Sequence, residues 1–284
     1  MSLSRLGDYL DQMLTAASDA RRFVDGMSKE DFLADKRTQQ AVIMSLVIIG
    51  EAAARALASQ GAAVAIAARR KDRLDELSAS IERDGGRALA IETDVTDREQ
   101  ADAAVQRTVA ELGRLDTVIN NAGVMLLGPI QDAPIEEWER MIALNLNGLL
   151  YVAHAALPHL LKAAEQEPRR VADLVNISSV AGRQARLGSG VYNLTKHGVG
   201  AFSESARQEF TERHVRISLV EPGAVSTELS GHVRAEVREQ MLKRFAGIER
   251  LEAEDIADAI TYIVTRPRHV AINELLIRPT EQTG

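Results

Sequence analysis

Tyr192 and Lys196 are the two residues of this sequence best suited to proton transfer. They stand four apart in a segment that is predicted to be helical, so both side chains leave the same helix face. Upstream, Ser179 follows an apolar run, Leu174–Ile177, that predicts a buried strand. A phenol ordinarily has a pKa of about 10, and a nearby ammonium favours the phenolate. We therefore expect Lys196 to lower the pKa of Tyr192, although the spacing alone also fits an ordinary surface pair.

Composition excludes several classes of function. The chain has 284 residues with a net charge of −7, which does not suit nucleic-acid binding. It has no cysteine, its six histidines show no metal-ligand spacing, and the acids and arginines near its start do not form a signal peptide. The apolar run 41–49 is too short to span a bilayer. We expect a cytoplasmic protein without metal, membrane or nucleic-acid partners.

From Gly61 onward, short apolar strands alternate with helices, which predicts a doubly wound α/β fold with a parallel sheet covered on both faces. The predicted strands are Ala62–Ala67, Arg87–Glu92, Thr117–Asn120, Ala172–Ile177, Arg216–Val220 and Glu274–Ile277. The predicted helices are Lys71–Asp84, Asp97–Gly113, Ile135–Ala163, Gly190–Arg213 and Glu252–Thr265. Ligands of such sheets bind beyond the carboxyl ends of the strands, so the polar residues at the strand ends should share one edge.

The first 60 residues have a different pattern. Leu3 to Ala20 predicts an amphipathic helix, and Ser28 begins a second, short one. Arg37–Gln60 is predicted to form one long helix that ends at Gly61, because it is rich in alanine and has no proline. Its apolar stretch Ala41–Ile49 would also suit a buried strand, and periodicity does not decide between the two. We favour the helix, since a strand leaves almost no residues for a turn before Glu51.

Residues from about 50 to 284 resemble the short-chain dehydrogenase/reductases. The resemblance is carried by Asp94-Val95, Asn120-Asn121-Ala122-Gly123, Asn145, Ser179, Tyr192-x-x-x-Lys196 and Pro222-Gly223-Ala224-Val225-Ser226-Thr227. It implies a Rossmann-type sheet and the reversible NADP(H)-linked reduction of a small carbonyl compound to an alcohol. It also implies a homo-oligomer, a dimer or tetramer joined through the long helices around Ala143 and Phe202.

The resemblance assigns roles to individual residues. Tyr192 would be the general acid/base, Ser179 would polarise the substrate carbonyl, Lys196 would hold the nicotinamide ribose, and Asn145 would support a water-linked proton path. The implied cofactor-binding residues are Gly50, Arg69, Arg70, Asp94, Val95, Asn121, Ala122, Gly123, Tyr192, Lys196, Pro222, Gly223, Val225 and Thr227. Asn145 could instead be a buried helix asparagine satisfied by backbone, and Asp94 a turn residue.

Two positions bear on the choice of cofactor. A strand-end acid would bind the ribose 2′-hydroxyl of NAD, but this place is taken by Ala68, followed by Arg69 and Arg70. Guanidinium groups suit the 2′-phosphate of NADP, although basic residues also occur at solvated helix starts. The expected substrate pocket, Met125, Leu126, Leu187 and Gly188, is apolar and indicates a substrate without strong charge.

The family's opening strand and its Thr-Gly-x-x-x-Gly-x-Gly turn are missing, and only Gly50 remains of that turn. Residues 1 to about 52 instead resemble part of a HEPN-type helical domain, whose members include ribonucleases. The carriers are Arg5-Leu6, Asp8-Tyr9-Leu10, Phe23–Ser28, Phe32–Asp35, Arg37-Thr38-Gln39 and Ile48–Ala52. That family's active pair, an arginine followed four to six residues later by histidine, is absent, which argues against a ribonuclease.

We therefore predict a fusion of two parts. A helical segment, residues 1–50, replaces the first strand and the glycine-rich turn of a reductase domain, residues 51–284. Loss of backbone donors in that turn is expected to impair NADPH binding. The alternative is a catalytically idle fusion or binding protein that keeps the catalytic residues without productive cofactor binding.

Overall fold

The computed structural model describes residues 41–45, 48–226 and 247–283, all within the unit Gln40–Gly284. Its centre is a seven-stranded, all-parallel sheet in the order β3-β2-β1-β4-β5-β6-β7. The strands are β1 Ala41–Ser45, β2 Ala63–Ala68, β3 Arg87–Glu92, β4 Thr117–Asn120, β5 Ala172–Ile177, β6 Val215–Pro222 and β7 Glu274–Ile277. The α/β prediction is confirmed.

Helices cover both faces of this sheet. They are α1 Ile48–Ser59, α2 Lys71–Arg83, α3 Arg98–Leu112, α4 Ile135–Ile142, α5 Leu149–Ala164, α6 Gly190–Phe210 and α7 Ala253–Val264. Short 3₁₀ turns lie at Val180–Gly182 and Thr211–Arg213. Asp97 begins α3 by accepting from Glu99 N and Gln100 N, and Gly113 ends it in the left-handed conformation.

Along β2, consecutive residues belong to opposite faces of the sheet. Val64 and Ile66 pack into the core formed with α1, α2 and α7, whereas Ala65 packs into the core formed with α3 and α5. All three are fully buried. The continuous apolar runs of the sequence follow from this burial on both faces.

The predicted helix Arg37–Gln60 is wrong in its first half. Ala41–Ser45 forms β1, which pairs with β2 from Ala41↔Ala63 to Ser45↔Ala67 and with β4 from Val42↔Thr117 to Met44↔Ile119. The strand alternative is thereby confirmed for Ala41–Ser45, whereas Ile48 and Ile49 are the first residues of α1. A central strand satisfies the backbone groups that β2 and β4 would otherwise leave unpaired, and this gain is absent from any local helix preference. The predicted helices in residues 1–40 lie outside the described residues.

The long helix predicted over Ile135–Ala163 is present, but it contains a π-helical stretch, Ala143–Gly148, between α4 and α5. The irregular turn lies around Asn145, whereas Pro158 is accommodated within α5. Single π turns are frequent at functional sites. By length and hydropathy Ile135–Ala164 could span a membrane, but Val152, Ala156 and Leu160 pack against the sheet, as in a core helix.

Candidate functional site

Helix α6 is attached to the carboxyl end of β5 through Ser178. The Ser178 hydroxyl donates to Lys196 O at 3.0 Å. A Cβ atom at Gly182 would come within 2.6 Å of Ser178 Oγ and 2.8 Å of Lys196 O, so only glycine permits this close approach. This contact sets the position of the helix face that carries Tyr192 relative to Ser179.

The Tyr192 and Lys196 side chains are both buried, at 6% exposure each. The Lys196 ammonium donates to Ile177 O at 2.9 Å and lies 5.9 Å from the centre of the Tyr192 ring. The phenol shares a hydrogen bond with the half-buried Ser179 side chain. The structure therefore brings the three predicted catalytic residues together.

The prediction that Lys196 lowers the pKa of Tyr192 is wrong for the protein without ligands. Burial raises the pKa of the Tyr192 phenol to about 12, and the hydrogen bond with Ser179 opposes this rise only in part. Desolvation disfavours the phenolate, and the ammonium is directed at the Ile177 carbonyl. Tyr192 is consequently protonated at neutral pH, which suits a proton donor.

Burial also lowers the pKa of the Lys196 ammonium, to about 8 from 10.5. Between these two values the unfolded chain keeps a proton that the folded protein has released, so the free energy of unfolding rises with pH through this window. Below pH 8 both states are protonated, and the buried charge costs the folded state about 3 kcal/mol.

We expect the cost of this buried charge to show in the pH dependence of stability when the chain is compared with the variant Lys196→Met. Because methionine does not titrate, the stability of the unaltered chain relative to the variant should increase by about 2 kcal/mol between pH 7.5 and 9.5. Urea unfolding at the two pH values measures the change. Lys162→Met, at an exposed lysine of α5, is the control and should show no such change. A difference independent of pH at Lys196 would contradict the assignment.

Asn145, in the π-helical stretch, uses its side chain to hold two other segments. Its Oδ1 accepts from Val124 N at 2.8 Å, and its Nδ2 donates to Val124 O at 2.9 Å and to Thr195 Oγ1 at 3.1 Å. Thr195 in turn donates to Tyr192 O at 2.8 Å. Asn145 thus positions the segment after β4 against α6. This agrees with the alternative given above, in which Asn145 is a buried helix asparagine whose side chain bonds to backbone. A water-linked proton path through it stays a prediction.

A cavity of about 840 Å³ opens at the carboxyl ends of β4, β5 and β6. Eight of the residues that the sequence predicted for the site line this cavity: Asn121, Gly123, Ser179, Tyr192, Lys196, Pro222, Gly223 and Val225. The predicted pocket residues Met125, Leu187 and Gly188 also line it, whereas Leu126 is buried in the protein core and Leu127 takes its place. The volume lies in the usual range for small-molecule sites.

Other predicted residues lie outside this wall. The Asp94 carboxylate accepts from Thr96 N at 3.0 Å and Thr96 Oγ1 at 2.8 Å, as in a turn. Arg69, with a side chain 62% exposed, approaches Asp94 to 3.9 Å at the end of β2. Arg70 is exposed beside it, Val95 is buried against Gly148, and Ala122 is half-buried. Thr227 lies outside the described residues.

Gly50, the one glycine left from the expected turn, is not in a turn. It is the third residue of α1, and the neighbouring Ile49 lines the cavity in its stead. Strand β1 ends at Ser45 and α1 begins at Ile48, so two residues, Leu46 and Val47, connect them. This connection has no glycine, whereas phosphate-binding turns depend on glycine for close backbone approach.

The residues present fit a nicotinamide dinucleotide at its two ends. An ammonium has three donors, and within the described chain Lys196 uses one, on Ile177 O, leaving two for acceptors such as ribose hydroxyls. A Cβ atom at Gly123 would lie 3.5 Å from Asn145 Oδ1 and 3.7 Å from Lys196 Nζ, so glycine keeps this part of the wall open. Arg69 and Arg70 suit a 2′-phosphate. The two residues between β1 and α1, Leu46 and Val47, lie outside the described residues and include no glycine.

Sequence reasoning missed the residues that support the site. Ser178, Gly182 and Thr195 do no chemistry but fix α6 and β5 together. A further support is Arg183, whose Nε donates to the buried Glu221 at 2.5 Å. Gly182 could have been suspected from its place three residues after the serine pair Ser178-Ser179. The others form contacts over long sequence distances that no local pattern signals.

Comparison with known proteins gives two family matches. Residues 47–238 match the family model described as short chain dehydrogenase, and residues 13–79 match the one described as ribonuclease HepT-like. An uncharacterized oxidoreductase of Staphylococcus aureus is 34% identical over 231 residues, covering 81% of this chain and 92% of that protein.

Solved structures agree with the first match. A serine dehydrogenase complexed with NADP⁺ superposes with a TM-score of 0.76 at 30% identity, covering 86% of this chain and 97% of that one. An alcohol dehydrogenase of the archaeon Thermococcus sibiricus, complexed with 5-hydroxy-NADP, gives a TM-score of 0.75 at 25% identity, covering 87% and 99%.

Proposed function

This chain belongs to the short chain dehydrogenase family, and on that premise we propose that it interconverts a small carbonyl compound and an alcohol with NADP(H). The observation that carries the proposal is the meeting of Ser179, Tyr192 and Lys196 at one cavity wall. The two solved relatives are named as dehydrogenases of serine and of alcohols, both of which carry a CH–OH group.

The residues divide the chemistry among themselves. The cofactor supplies the hydride when bound. Tyr192, protonated at neutral pH, donates the proton that the carbonyl oxygen needs as it becomes an alcohol. The Ser179 hydroxyl orients that oxygen toward the phenol. Lys196 keeps two N–H donors for the ribose, while Asn121, Gly123 and Pro222–Val225 form the wall around the nicotinamide.

We further propose that the cofactor binds weakly. In related folds a glycine-rich turn presents backbone N–H groups to the pyrophosphate at a helix N-terminus. The two-residue connection between β1 and α1 supplies no such turn. A loss of three backbone donors, at about 1.5–3 kcal/mol each, lowers the affinity at least a thousandfold.

Arg69 and Arg70 are expected to make NADPH preferred over NADH by at least tenfold, because one or two bonds to a charged 2′-phosphate are worth about 1.5–3 kcal/mol each. The double variant Ala68→Asp, Arg69→Ala should reverse the preference, since an acid at the end of β2 binds the 2′-hydroxyl. The ratio of the dissociation constants for NADH and NADPH, in the unaltered chain and in the variant, measures this preference. Arg83→Ala, at the exposed far end of α2, is the control. Equal binding of NADH and NADPH by the unaltered chain would refute this preference.

A spectroscopic assay of NADPH consumption tests the proposed function, with a panel of small ketones and aldehydes and saturating nucleotide. Turnover of at least one carbonyl compound, reversed with the matching alcohol and NADP⁺, is the expected result. Absence of turnover at saturating NADPH would favour the idle binding protein, which the missing turn supports. A ribonuclease assay addresses the HepT-like match, although the sequence lacks that family's arginine–histidine pair.

Three further features belong to the proposal. The chain is a fusion, but the boundary predicted at residue 50 moves to about residue 40, because β1 (Ala41–Ser45) and the start of α1 lie within the unit Gln40–Gly284. It assembles as a dimer or tetramer through the helices around Ala143 and Phe202. It acts in the cytoplasm.

A further inference from the structure

The charged side chains among the described residues of the cavity wall are all cationic. The chain carries 41 acidic residues and a net charge of −7, yet no aspartate or glutamate is among the described residues of the cavity wall. Three cationic side chains line it, those of Arg186, Lys196 and Arg250. A low-dielectric pocket with this balance favours an anionic ligand, which the apolar pocket expected from the sequence did not indicate.

Arg250 differs from the other two cations in that no partner for it is found in the part of the chain that the structure describes. Lys196 donates to Ile177 O, and Arg186 takes part in an interaction of its own. Among the described residues, none makes a hydrogen bond or an ion pair with the half-buried Arg250 guanidinium. As far as the described residues go, its five donors are therefore available to a ligand in the cavity.

The backbone around Arg250 is fixed to the end of β6. Leu251 N donates to Ala224 O at 3.0 Å, and Ser226 N donates to Leu251 O at 2.8 Å. The nearby acids have other contacts, since Glu281 accepts from Glu249 N at 3.1 Å and Asp255 accepts from Glu252 N at 2.8 Å. The guanidinium is thus held at the cavity without a counter-ion among residues 41–45, 48–226 and 247–283.

The sheet order places Arg250 closer to the reacting groups than to the cofactor phosphates. Strands lie about 4.8 Å apart, so β6 is one spacing from β5, which leads to Ser179, and three spacings, about 14 Å, from β1. The Arg69 end of β2 is a further spacing away. The segment Pro222–Val225 continues from the end of β6, pairs with Leu251 through Val225, and faces the uncharged nicotinamide in the proposed function.

We infer that Arg250 binds a carboxylate on the substrate, so that the preferred substrates are oxo acids and the corresponding hydroxy acids. This inference rests on the proposed function and adds the substrate class. A guanidinium and a carboxylate form two parallel hydrogen bonds, which fix orientation as well as adding affinity. The bond would hold the substrate by its charged end while its carbonyl meets Tyr192 and Ser179.

The test compares substrates that differ only in charge, 3-oxobutanoate and 4-oxobutanoate against their methyl esters. We expect kcat/KM at saturating NADPH to be at least tenfold higher for one or both acids than for the ester. Arg250→Gln should lower this acid-to-ester ratio at least tenfold, equivalent to about 1.4 kcal/mol. Arg213→Gln, an exposed arginine before β6, is the charge-matched control and should keep the ratio.

A ratio near one in the unaltered chain, or an equal loss for acid and ester in Arg250→Gln, would overturn the inference. If no substrate turns over, the proposed function fails. Calorimetric titration with 3-oxobutanoate in the absence of nucleotide then still tests whether Arg250 binds a carboxylate. Binding that weakens at least tenfold in Arg250→Gln, with no change in Arg213→Gln, then supports the carboxylate site. Equal binding, or none, refutes it.

Discussion

Replacing Tyr192 with phenylalanine is expected to lower turnover by about 10²–10⁴-fold while the fold stays intact. The change removes one hydroxyl, and positioned proton donors typically contribute a factor of this size. The phenol is buried, its pKa is raised to about 12, and its hydroxyl meets Ser179, so no water replaces it easily as the donor. Steady-state rates at saturating NADPH measure the effect.

Two controls separate chemistry from stability. Tyr262→Phe changes a tyrosine that is 49% exposed on α7, away from the cavity wall, and should keep full activity. Urea unfolding should give similar stabilities for both variants, because each keeps its ring. Undiminished turnover in Tyr192→Phe would remove this residue from its proposed role.

Restoring the missing turn is expected to raise the affinity for NADPH at least a thousandfold. The variant carries a Thr-Gly-x-x-x-Gly-x-Gly turn between Ser45 and Glu51, and a second version replaces all of residues 1–50 by a strand and the same turn. Three recovered backbone donors contribute about 5–9 kcal/mol in all. Because β1 already occupies the centre of the sheet, the shorter insertion should suffice.

Calorimetric titration of each variant with NADPH provides the measurement. The control carries an insertion of the same length with alanine in place of each glycine, because alanine resists the left-handed backbone and blocks close approach. It should bind no better than the unaltered chain. Equal affinities in the glycine and alanine versions would show that the turn does not limit binding.

Most of the sheet could be predicted because its inner strands β2, β4, β5 and β6 are almost completely buried and therefore largely apolar. Four strands, β3, β4, β5 and β7, have the predicted bounds. The stretch Ala41–Ile49 was ambiguous because the same apolar residues suit a buried helix and a buried strand. What makes it a strand is pairing with β2 and β4, and these partners are distant in the sequence.

The catalytic residues could be found from motif spacing, but their electrostatics could not. The pKa of Tyr192 depends on how completely the phenol is buried and on where the Lys196 ammonium points, and both are set by the packing of α6 on β5. The same holds for Arg250, which reaches the cavity through the pairing of Leu251 with Val225. Neither burial nor such a pairing leaves a local trace in the sequence.

The central claim is that the cavity beside Tyr192 and Lys196 is a nicotinamide site without a phosphate turn, and titration of the unaltered chain with NADPH tests it most directly. Trp138, the one tryptophan, packs in the same apolar cluster as Tyr192 and reports binding by its fluorescence. We predict saturable binding in the millimolar range that is lost in Lys196→Met. Micromolar binding, or binding that Lys196→Met leaves unchanged, would contradict the account.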